Sequence, residues 1–394
     1  MNAISNERPD PASGLPDGVP GSRRRMGQQL VPVESVGAAA YAIPTDGPES
    51  DGTLTWESTT MIVVTVRAAG HRGLGWTYGS PAVADVVTGT LAGVVTGADA
   101  MDLPGAAERM NRAVRNIGRE GVASMAISAL DIALWDLKAR LLDLSVAVLA
   151  GQVRRDVPVY GSGGFITYDE VQTREQLTHW VRLDQIPRVK IKIGESWGTN
   201  EARDRARVAL ARAAIGDETE LYVDANGAYR TGQAVRVGSW LSDYAVTWFE
   251  EPVSSADPAG LAEVRGQVKP DVAAGEYSWT PADSARLLKA GSVDCLQLDA
   301  TRCGGFTGFL QGAALAQAYS TDVSAHCAPN VHAHVGVAVP GLRHIEYFHD
   351  HQRIERMLFD GALDPSGGVL TPDVSRPGLG LEFRDQDAAA YRTA

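Results

Sequence analysis

The feature of this sequence that most restricts its fold is a short apolar segment followed by a helical pattern, repeated from residue 157 to residue 348. The apolar segments are, in order, VPVYGSGG (157–164), RVKIKIG (188–194), LYVDANG (221–227), VTWFEEPV (246–253), DVAAGEY (271–277), CLQLDATRCGG (295–305), VSAHCAPN (323–330) and RHIEYF (343–348). Short buried strands that alternate with helices form parallel sheets, and seven or eight such units predict an α/β fold with a closed barrel of the TIM type. An open doubly wound sheet is the alternative, but no G-x-G-x-x-G follows an early strand.

The residues before this repeat have a different pattern. The stretch TTMIVVTV (59–66) is rich in β-branched residues, and Gly70, Gly73, Gly75 and Gly79 indicate turns after it. Further on, apolar residues recur at helix spacing, most clearly in VASMAISALDIALWDLKARLL (122–142). Strands followed by helices predict an α+β unit ahead of the barrel.

Composition and charge argue against several classes of protein. The 394 residues carry 36 basic and 48 acidic side chains, a net charge of −12, whereas nucleic-acid binding needs clustered Lys and Arg. No apolar stretch reaches the ~20 residues of a membrane span, and no signal-peptide pattern is present. Cys295, Cys303 and Cys327 lack a CxxC spacing, which indicates reduced thiols and a cytoplasmic protein. Residues 1–27, rich in Pro, Gly, Ser and charge, are predicted to be a disordered tail.

Nearly every apolar segment ends in a polar or charged side chain. The C-terminal ends of parallel barrel strands meet at one mouth, so we expect these side chains to line a single site. They are Ser162, Lys190, Lys192, Asp224, Glu250, Glu276, Asp299, His326 and Glu346.

Three of these residues, Asp224, Glu250 and Glu276, recur at intervals of 26 residues. Three carboxylates in one pocket repel each other unless a cation lies among them, and an all-oxygen ligand set suits Mg²⁺. Any one of these acids alone is more often a solvated loop residue, but their common register favours a metal site. Because neighbouring strand residues face opposite ways, Glu250 is assigned to the metal and Glu251 is expected to point away into polar surroundings.

Lys190 and Lys192 alternate with apolar residues and therefore share one strand face. Burial of two ammonium groups side by side is expected to lower their pKa, which would allow a lysine to act as a general base near neutral pH. An edge strand with both lysines in solvent is the alternative.

His326 lies at a strand end one unit after Asp299. A carboxylate that accepts a hydrogen bond from one imidazole nitrogen fixes the tautomer and raises the basicity of the other nitrogen. The pair is therefore a candidate second acid or base, although a lone histidine is more often a core residue. Cys327 is expected to face the opposite side and to pack in the core.

The motifs VKIKIG, VDANGAY, WFEEPV, AAGEY, LQLDATRCGG, SAHCAP and HIEYF stand in the order typical of the mandelate racemase subgroup of the enolase superfamily. The chain resembles that family from Val33 onward. The resemblance implies a modified TIM barrel, (β/α)7β, with an α+β capping domain. It divides the chain into the tail (1–27), the capping domain (28–152), the barrel (153–346) and a C-terminal segment that returns to the cap (347–394).

The resemblance also implies a metal site and a base. It implies that Mg²⁺ is bound by Asp224, Glu250 and Glu276, and that Lys192 is one base with Lys190 beside it.

Further roles are implied on the other side of the mouth. His326 and Asp299 match the family dyad, and Glu346 matches the acid that hydrogen-bonds the substrate carboxylate. Ser162 and Asn226 match positions that line such sites. A member of the muconate-cycloisomerase type would carry a lysine on the strand of Asp299. LQLDATR has no lysine there, which disfavours that branch of the family.

The expected chemistry is abstraction of the proton alpha to a carboxylate, through an enediolate stabilised by Mg²⁺ and a protonated Glu346. With Lys192 and His326 on opposite faces of the α-carbon, either racemisation or dehydration would follow. The predicted lid loop (43–58) is polar and acidic, with Trp56 as its only aromatic and a candidate substrate contact, whereas an aromatic substrate would favour an apolar lid.

We therefore expect a Mg²⁺-dependent acid-sugar dehydratase that forms a 2-keto-3-deoxy acid. A racemase or epimerase of a 2-hydroxy acid and a catalytically silent metal-binding barrel are the alternatives. The expected partner is a small-molecule carboxylate substrate, with no nucleic-acid or membrane partner, and a homo-oligomer is expected.

Overall fold

The structure, a computed structural model, describes residues 30–393, so the tail predicted for residues 1–27 lies outside the described residues. Its first elements are three antiparallel strands, β1 (Ser35–Ser50), β2 (Thr55–Ala68) and β3 (His71–Tyr78). Both faces of this sheet are covered. Ile62 and Val64 pack into a helical layer, whereas Met61 and Val63 pack into the same core as the barrel.

Helices cover the outer face of the sheet. They are α1 (Ala82–Val86), a π-helical turn (Val87–Leu91), α2 (Ala92–Val95), α3 (Leu103–Ala113), α4 (Val122–Leu141) and α5 (Val146–Leu149).

Two of the glycines that were expected to form turns lie inside β3. At Gly73 and Gly75, α4 crosses the strand so closely that an added methyl group would lie 2.2 Å from a helix carbonyl oxygen. Gly70 does form the turn between β2 and β3, with φ of +77°. The expectation was wrong at Gly73 and Gly75 because close helix packing, which a single strand does not reveal, also requires glycine.

Eight parallel strands follow and close into a barrel. Each strand pairs with the next, and the last pairs with the first, which confirms the predicted barrel and excludes the open sheet. The strands are β4 (Val157–Gly163), β5 (Arg188–Lys192), β6 (Glu220–Asp224), β7 (Val246–Glu250), β8 (Asp271–Ala274), β9 (Cys295–Leu298), β10 (Asp322–Ala325) and β11 (Leu342–Phe348).

Helices connect the barrel strands. α11 shows how local sequence sets their ends, because Thr280 and Asp283 form a capping box around Pro281. The connecting helices are α6 (Glu170–Arg182), α7 (Glu195–Gly198), α8 (Glu201–Ile215), α9 (Thr231–Leu241) with a 3₁₀ turn (Ser242–Tyr244), α10 (Pro258–Arg265), α11 (Pro281–Ala290), α12 (Gly305–Ala318) and α13 (Pro329–Gly336).

The C-terminal residues run back toward the first sheet. The backbone N–H of Thr393 donates to the carbonyl of Ala40 in β1 at 2.8 Å. Among the described residues, none of the helices combines the length and apolar character that a membrane crossing needs. The C-terminal elements are α14 (His349–Leu358), β12 (Phe359–Asp360), β13 (Val369–Leu370), β14 (Glu382–Phe383), α15 (Asp385–Ala388) and a 3₁₀ turn (Ala389–Tyr391).

The β1–β2 hairpin reaches over the barrel mouth. Most of the predicted lid loop (43–58) is strand, and residues 51–54 connect the two strands. The carbonyl of Gly52 accepts from the N–H of Trp197 at 2.9 Å, and the carbonyl of Ser50 accepts from the N–H of Ile166 at 3.0 Å. A Cβ on Gly52 would lie 2.4 Å from the carbonyl oxygen of Gly194, so the hairpin tip needs glycine for this contact.

Candidate functional site

The polar strand-end residues predicted from the sequence all lie at the C-terminal mouth of the barrel, and all are buried. An aromatic layer closes the barrel beneath them, formed by Tyr160, Tyr222 and Trp248. The residues at the mouth are Ser162, Lys190, Lys192, Asp224, Glu250, Glu276, Asp299, His326 and Glu346.

Asp224, Glu250 and Glu276 form a carboxylate triad. Asp224 ends β6, Glu250 ends β7, and Glu276 follows β8 by two residues. One oxygen atom from each carboxylate lies within 4.8 Å of the other two. Because the strands are parallel and adjacent, the 26-residue interval carries each acid to the same level of the barrel.

Two lysines neutralise part of this triad. Lys192 Nζ donates to Asp224 Oδ2 at 2.5 Å, and Lys190 Nζ donates to Glu250 Oε1 at 2.6 Å. The second oxygen of Glu250 accepts from Trp248 Nε1 at 2.8 Å, since the two side chains are two residues apart on one strand face.

The lysine pair differs from the sequence-based expectation in its protonation. Burial alone would lower both pKa values, but carboxylates oppose it, chiefly Glu250 for Lys190 and Asp224 for Lys192. The pKa of each lysine is therefore raised. The sequence showed the two like charges on one strand but not the acids supplied by the neighbouring strands.

The acids respond differently to the same burial. Burial, followed by the neighbouring charge of Asp224, raises the pKa of Glu250 to about 8. Burial also opposes ionisation of Asp224, but Lys192 and Lys190 outweigh it and lower the pKa of Asp224.

Glu276 is the least satisfied member of the triad. Its Oε1 accepts from Arg302 Nη1 at 3.1 Å, whereas its Oε2 is buried and has no hydrogen-bond partner among the described residues. Arg302 also lies 3.4 Å from Asp299 Oδ2 and therefore links the triad to the other side of the mouth. Sequence reasoning missed this arginine, although its place three residues after Asp299 was a usable signal.

Asp299 and His326 form a hydrogen-bonded dyad. Asp299 Oδ2 lies 2.8 Å from His326 Nδ1, which leaves Nε2 facing Glu276 Oε2 at 3.4 Å and Glu346 Oε2 at 3.7 Å. Burial alone would lower the pKa of His326, but Glu276 and other acids raise it. Burial opposes ionisation of Asp299, yet the hydrogen bond from His326 holds the pKa of Asp299 well below its usual range.

Glu346 is held as a carboxylate rather than as the protonated acid expected from the sequence. It lies 2.8 Å from Lys190 Nζ and accepts from Ser162 Oγ at 2.6 Å. Burial alone would raise its pKa, but Lys190 and then His326 hold the pKa of Glu346 well below its ordinary value. Ser162 thus orients Glu346.

Cys327 faces the site, which corrects its assignment to the core alone. β10 ends at Ala325, and Cys327 has φ of +53°, so strand alternation no longer sets its direction. Its Sγ lies 3.3 Å from His326 Nε2 and 3.4 Å from Glu346 Oε2.

Glu251 is also placed differently from the expectation of polar surroundings. It is 2% exposed and has φ of +37°, and no residue that the structure describes forms a hydrogen bond with its Oε1. Burial, followed by the charge of Glu276, raises the pKa of Glu251 well above its usual value. Glu251 is therefore a buried neighbour of the triad.

Asn226 and Trp56, the other two predicted substrate contacts, have different neighbours. The backbone N–H of Asn226 donates to Asp224 Oδ1 at 2.9 Å, and the side-chain oxygen of Asn226 is buried with no hydrogen-bond partner in the described part of the chain. Trp56 packs edge-on against Phe165, which belongs to the same buried apolar cluster as Cys327. Its role as a substrate contact stays a prediction.

The balance of charge tests whether a cation fits. Six buried carboxylates lie among the described residues of the mouth, against Lys190, Lys192, Arg302 and at most one further positive charge on His326. Two of these six groups, Glu250 and Glu251, have raised pKa values, as expected for acids that crowd together without a cation between them. This crowding, together with the buried Glu276 Oε2 that has no hydrogen-bond partner among the described residues, suits a divalent cation. The carboxylates are Asp224, Glu250, Glu251, Glu276, Asp299 and Glu346.

Comparison with known families matches most of the chain. Residues 39–151 match the family described as mandelate racemase / muconate lactonizing enzyme, N-terminal domain, and residues 172–388 match the family described as enolase C-terminal domain-like.

Three relatives illustrate the range of this similarity. L-talarate/galactarate dehydratase of Salmonella typhimurium is 31% identical over 336 residues, which are 83% of this chain and 81% of that protein. A structure of that dehydratase liganded with Mg and L-lyxarohydroxamate has a TM-score of 0.86 at 28% identity, and the match covers 97% of this chain and 98% of that one. A mandelate racemase/muconate lactonizing enzyme-like protein from Rubrobacter xylanophilus has a TM-score of 0.89 at 49% identity, covering 92% and 100% of the two chains. A racemase from Streptomyces coelicolor with bound magnesium has a TM-score of 0.86 at 28% identity, again covering 92% and 100%.

Proposed function

Because this chain belongs to the mandelate racemase subgroup of the enolase superfamily, we propose that it removes the proton alpha to a substrate carboxylate in a Mg²⁺-dependent reaction. The observation that carries this proposal is the juxtaposition of the carboxylate triad with two separate proton carriers, Lys192 and the dyad of His326 and Asp299.

Asp224, Glu250 and Glu276 would hold the metal. The triad offers only oxygen ligands, it lies among six buried carboxyl groups, and its Glu276 Oε2 has no hydrogen-bond partner among the described residues. When bound, Mg²⁺ supplies positive charge that offsets the charge developing on the substrate carboxylate as its α-proton is lost.

Lys192 would carry one proton at Nζ. Its ammonium form is stabilised by Asp224 at 2.5 Å, and this stabilisation weakens when Asp224 shares its charge with a cation. The pKa of Lys192 then falls toward the range in which a lysine serves as a base.

His326 would carry the second proton at Nε2. Asp299 accepts from Nδ1 and holds the imidazole in one orientation, so Nε2 is the nitrogen directed into the mouth. Lys190, whose contact with Glu346 is 2.8 Å, would keep that acid in place beside the substrate carboxylate.

We propose dehydration of an acid sugar as the overall reaction. A base takes the α-proton, the electron pair forms the bond between the α- and β-carbons, and the β-hydroxyl leaves as water with a proton from the conjugate acid. The resulting enol becomes a 2-keto-3-deoxy acid. The dehydratase relative and the polar β1–β2 hairpin support this choice.

A substrate library tests the proposal. The purified full chain is incubated with Mg²⁺ and a set of aldonic and aldaric acids, and 2-keto-3-deoxy products are measured. Product from at least one acid sugar is expected. The proposal fails if no acid sugar yields product while a 2-hydroxy acid exchanges its α-proton on both faces, which would instead identify a racemase.

Deuterium exchange separates the two proton carriers. In D₂O, Lys192→Ala and His326→Asn are each expected to abolish turnover, but only one of them should abolish deuterium incorporation into a given enantiomer. Full activity in both variants would show that the bases are assigned wrongly. Absence of exchange into any acid by the wild-type protein would support a silent barrel.

A further inference from the structure

A second group of metal-ligating side chains lies between the β1–β2 hairpin and the start of α14. We call it the hairpin cluster and define it as Asp46, Glu49 and His349. Asp46 and Glu49 belong to β1, and His349 is the first residue of α14, directly after the barrel strand β11. One possible ligand atom from each residue lies within 4.8 Å of the other two.

Glu49 is the residue that the surrounding protein leaves unsatisfied. Its side chain is fully buried, with 0% exposure, and its Oε1 has no hydrogen-bond partner within residues 30–393. The other oxygen accepts from Trp56 Nε1 at 2.9 Å. A buried carboxylate oxygen without a partner is costly, so its position inside the cluster points to a missing positive charge.

The charged residues next to the hairpin cluster also do not neutralise its acids. Asp350, which follows His349, is also buried, and its Oδ2 has no hydrogen-bond partner in the part of the chain that the structure describes. Arg353 is committed elsewhere, because its guanidinium donates to Asp350 Oδ1 at 2.5 Å and to the carbonyl of Pro44 at 2.7 Å. Burial, followed by the charge of Asp350, raises the pKa of Glu49 to about 8, and the weaker opposing charge of Arg353 does not offset them.

We propose that Asp46, Glu49 and His349 bind a divalent transition-metal ion of the zinc class. An imidazole with two carboxylates favours such an ion over Mg²⁺, whereas the all-oxygen triad in the barrel mouth has the opposite preference. His349 Nε2 lies 2.9 Å from Asp46 Oδ2, so the imidazole nitrogen already faces a carboxylate of the other element.

The proposed ion reaches the hairpin cluster from solvent through a cavity, and its binding affects the hairpin. A cavity of about 500 Å³ lies beside the cluster and is lined in part by Asp46, Gly47, Tyr168 and His349. Because two ligands belong to the hairpin and one to α14, the bound ion joins the hairpin that covers the mouth to the barrel. Zinc would therefore restrain the opening of the hairpin, whether or not the mouth has the proposed activity.

Zinc binding to the full chain tests the site directly. The protein is kept in saturating Mg²⁺ to occupy the triad, and bound zinc(II) is counted by equilibrium dialysis in wild type, His349→Asn and Asp46→Asn. Wild type is expected to bind one more zinc per chain than either variant, or to bind it at least tenfold more tightly. Asp46 is half exposed, so Asp46→Asn has little reason to disturb folding.

His179→Asn is the matched control. His179 lines the same cavity, is 58% exposed and lies outside the cluster. It should keep the wild-type stoichiometry. In wild type, zinc should also slow amide hydrogen exchange in the hairpin (43–58), and this protection should be lost in Asp46→Asn and His349→Asn. Equal zinc binding by wild type and both cluster variants, or an equal loss in His179→Asn, would overturn the proposal.

Discussion

Replacement of Lys190 by methionine tests whether the barrel mouth is organised by charge. Lys190 is completely buried, and its Nζ lies 2.6 Å from Glu250 Oε1 and 2.8 Å from Glu346 Oε1. Methionine fills most of the same volume but carries no charge. Removal of one partner from a buried ion pair typically costs about 3–5 kcal/mol, because the other charge is left uncompensated. Since Glu250, with a pKa of about 8, already takes up a proton near neutral pH, Glu346 bears most of this loss and we expect about 3 kcal/mol.

The pH dependence of this loss identifies its cause. The pKa of Glu346 is held well below its usual value, so its ion pair stabilises the fold above the unfolded pKa of about 4.3, and this stability is lost as the pH falls through the folded value. The variant lacks this contribution. The difference in free energy of unfolding between wild type and variant should therefore be largest near pH 7 and should shrink at strongly acidic pH.

Urea unfolding in the presence of EDTA, followed by tryptophan fluorescence at pH 7 and at strongly acidic pH, about pH 2 to 3, measures both quantities. Lys289→Met is the control, because Lys289 is an exposed lysine on α11 and should change the stability by less than about 0.5 kcal/mol. A loss below about 1 kcal/mol at pH 7, or a loss that does not depend on pH, would refute the assignment of an ionised Glu346 beside a charged Lys190.

Three further outcomes are expected. Gly75→Ala should lower the free energy of unfolding by about 3 kcal/mol in urea, because its methyl group meets a carbonyl of α4, whereas Gly232→Ala, with open space around it, should be neutral or stabilising. Thr280→Ala should cost about 1 kcal/mol in the same assay, since it removes the capping box of α11. Asp299→Asn should lower the pKa of His326, observed by NMR of the imidazole. Because that pKa is raised in the fold, the stability it contributes is present below the unfolded value of about 6.5 and is lost as the pH rises through the folded value.

The sequence by itself determined that the chain forms a barrel and which residues lie at the C-terminal mouth of that barrel. Period-two alternation sets which residues face inward, and the repeated strand-helix unit brings equivalent positions to one level, so Asp224, Glu250 and Glu276 could be placed together from their numbering alone. The same reasoning placed His326 beside Asp299. These are local and periodic properties, which a linear chain displays directly. The chemical roles of these residues stay predictions.

The tertiary structure decided what depends on neighbours from other strands. The lysines are paired with acids from β6, β7 and β11, which raises the pKa values that like charge on one strand was expected to lower. Cys327 faces the site because its strand has already ended. Gly73 and Gly75 leave room for α4, which is distant in the sequence. Glu49 lies near His349, although the two are 300 residues apart in the chain. Protonation and close approach depend on three-dimensional distance and desolvation, and no pattern along the chain records either of them.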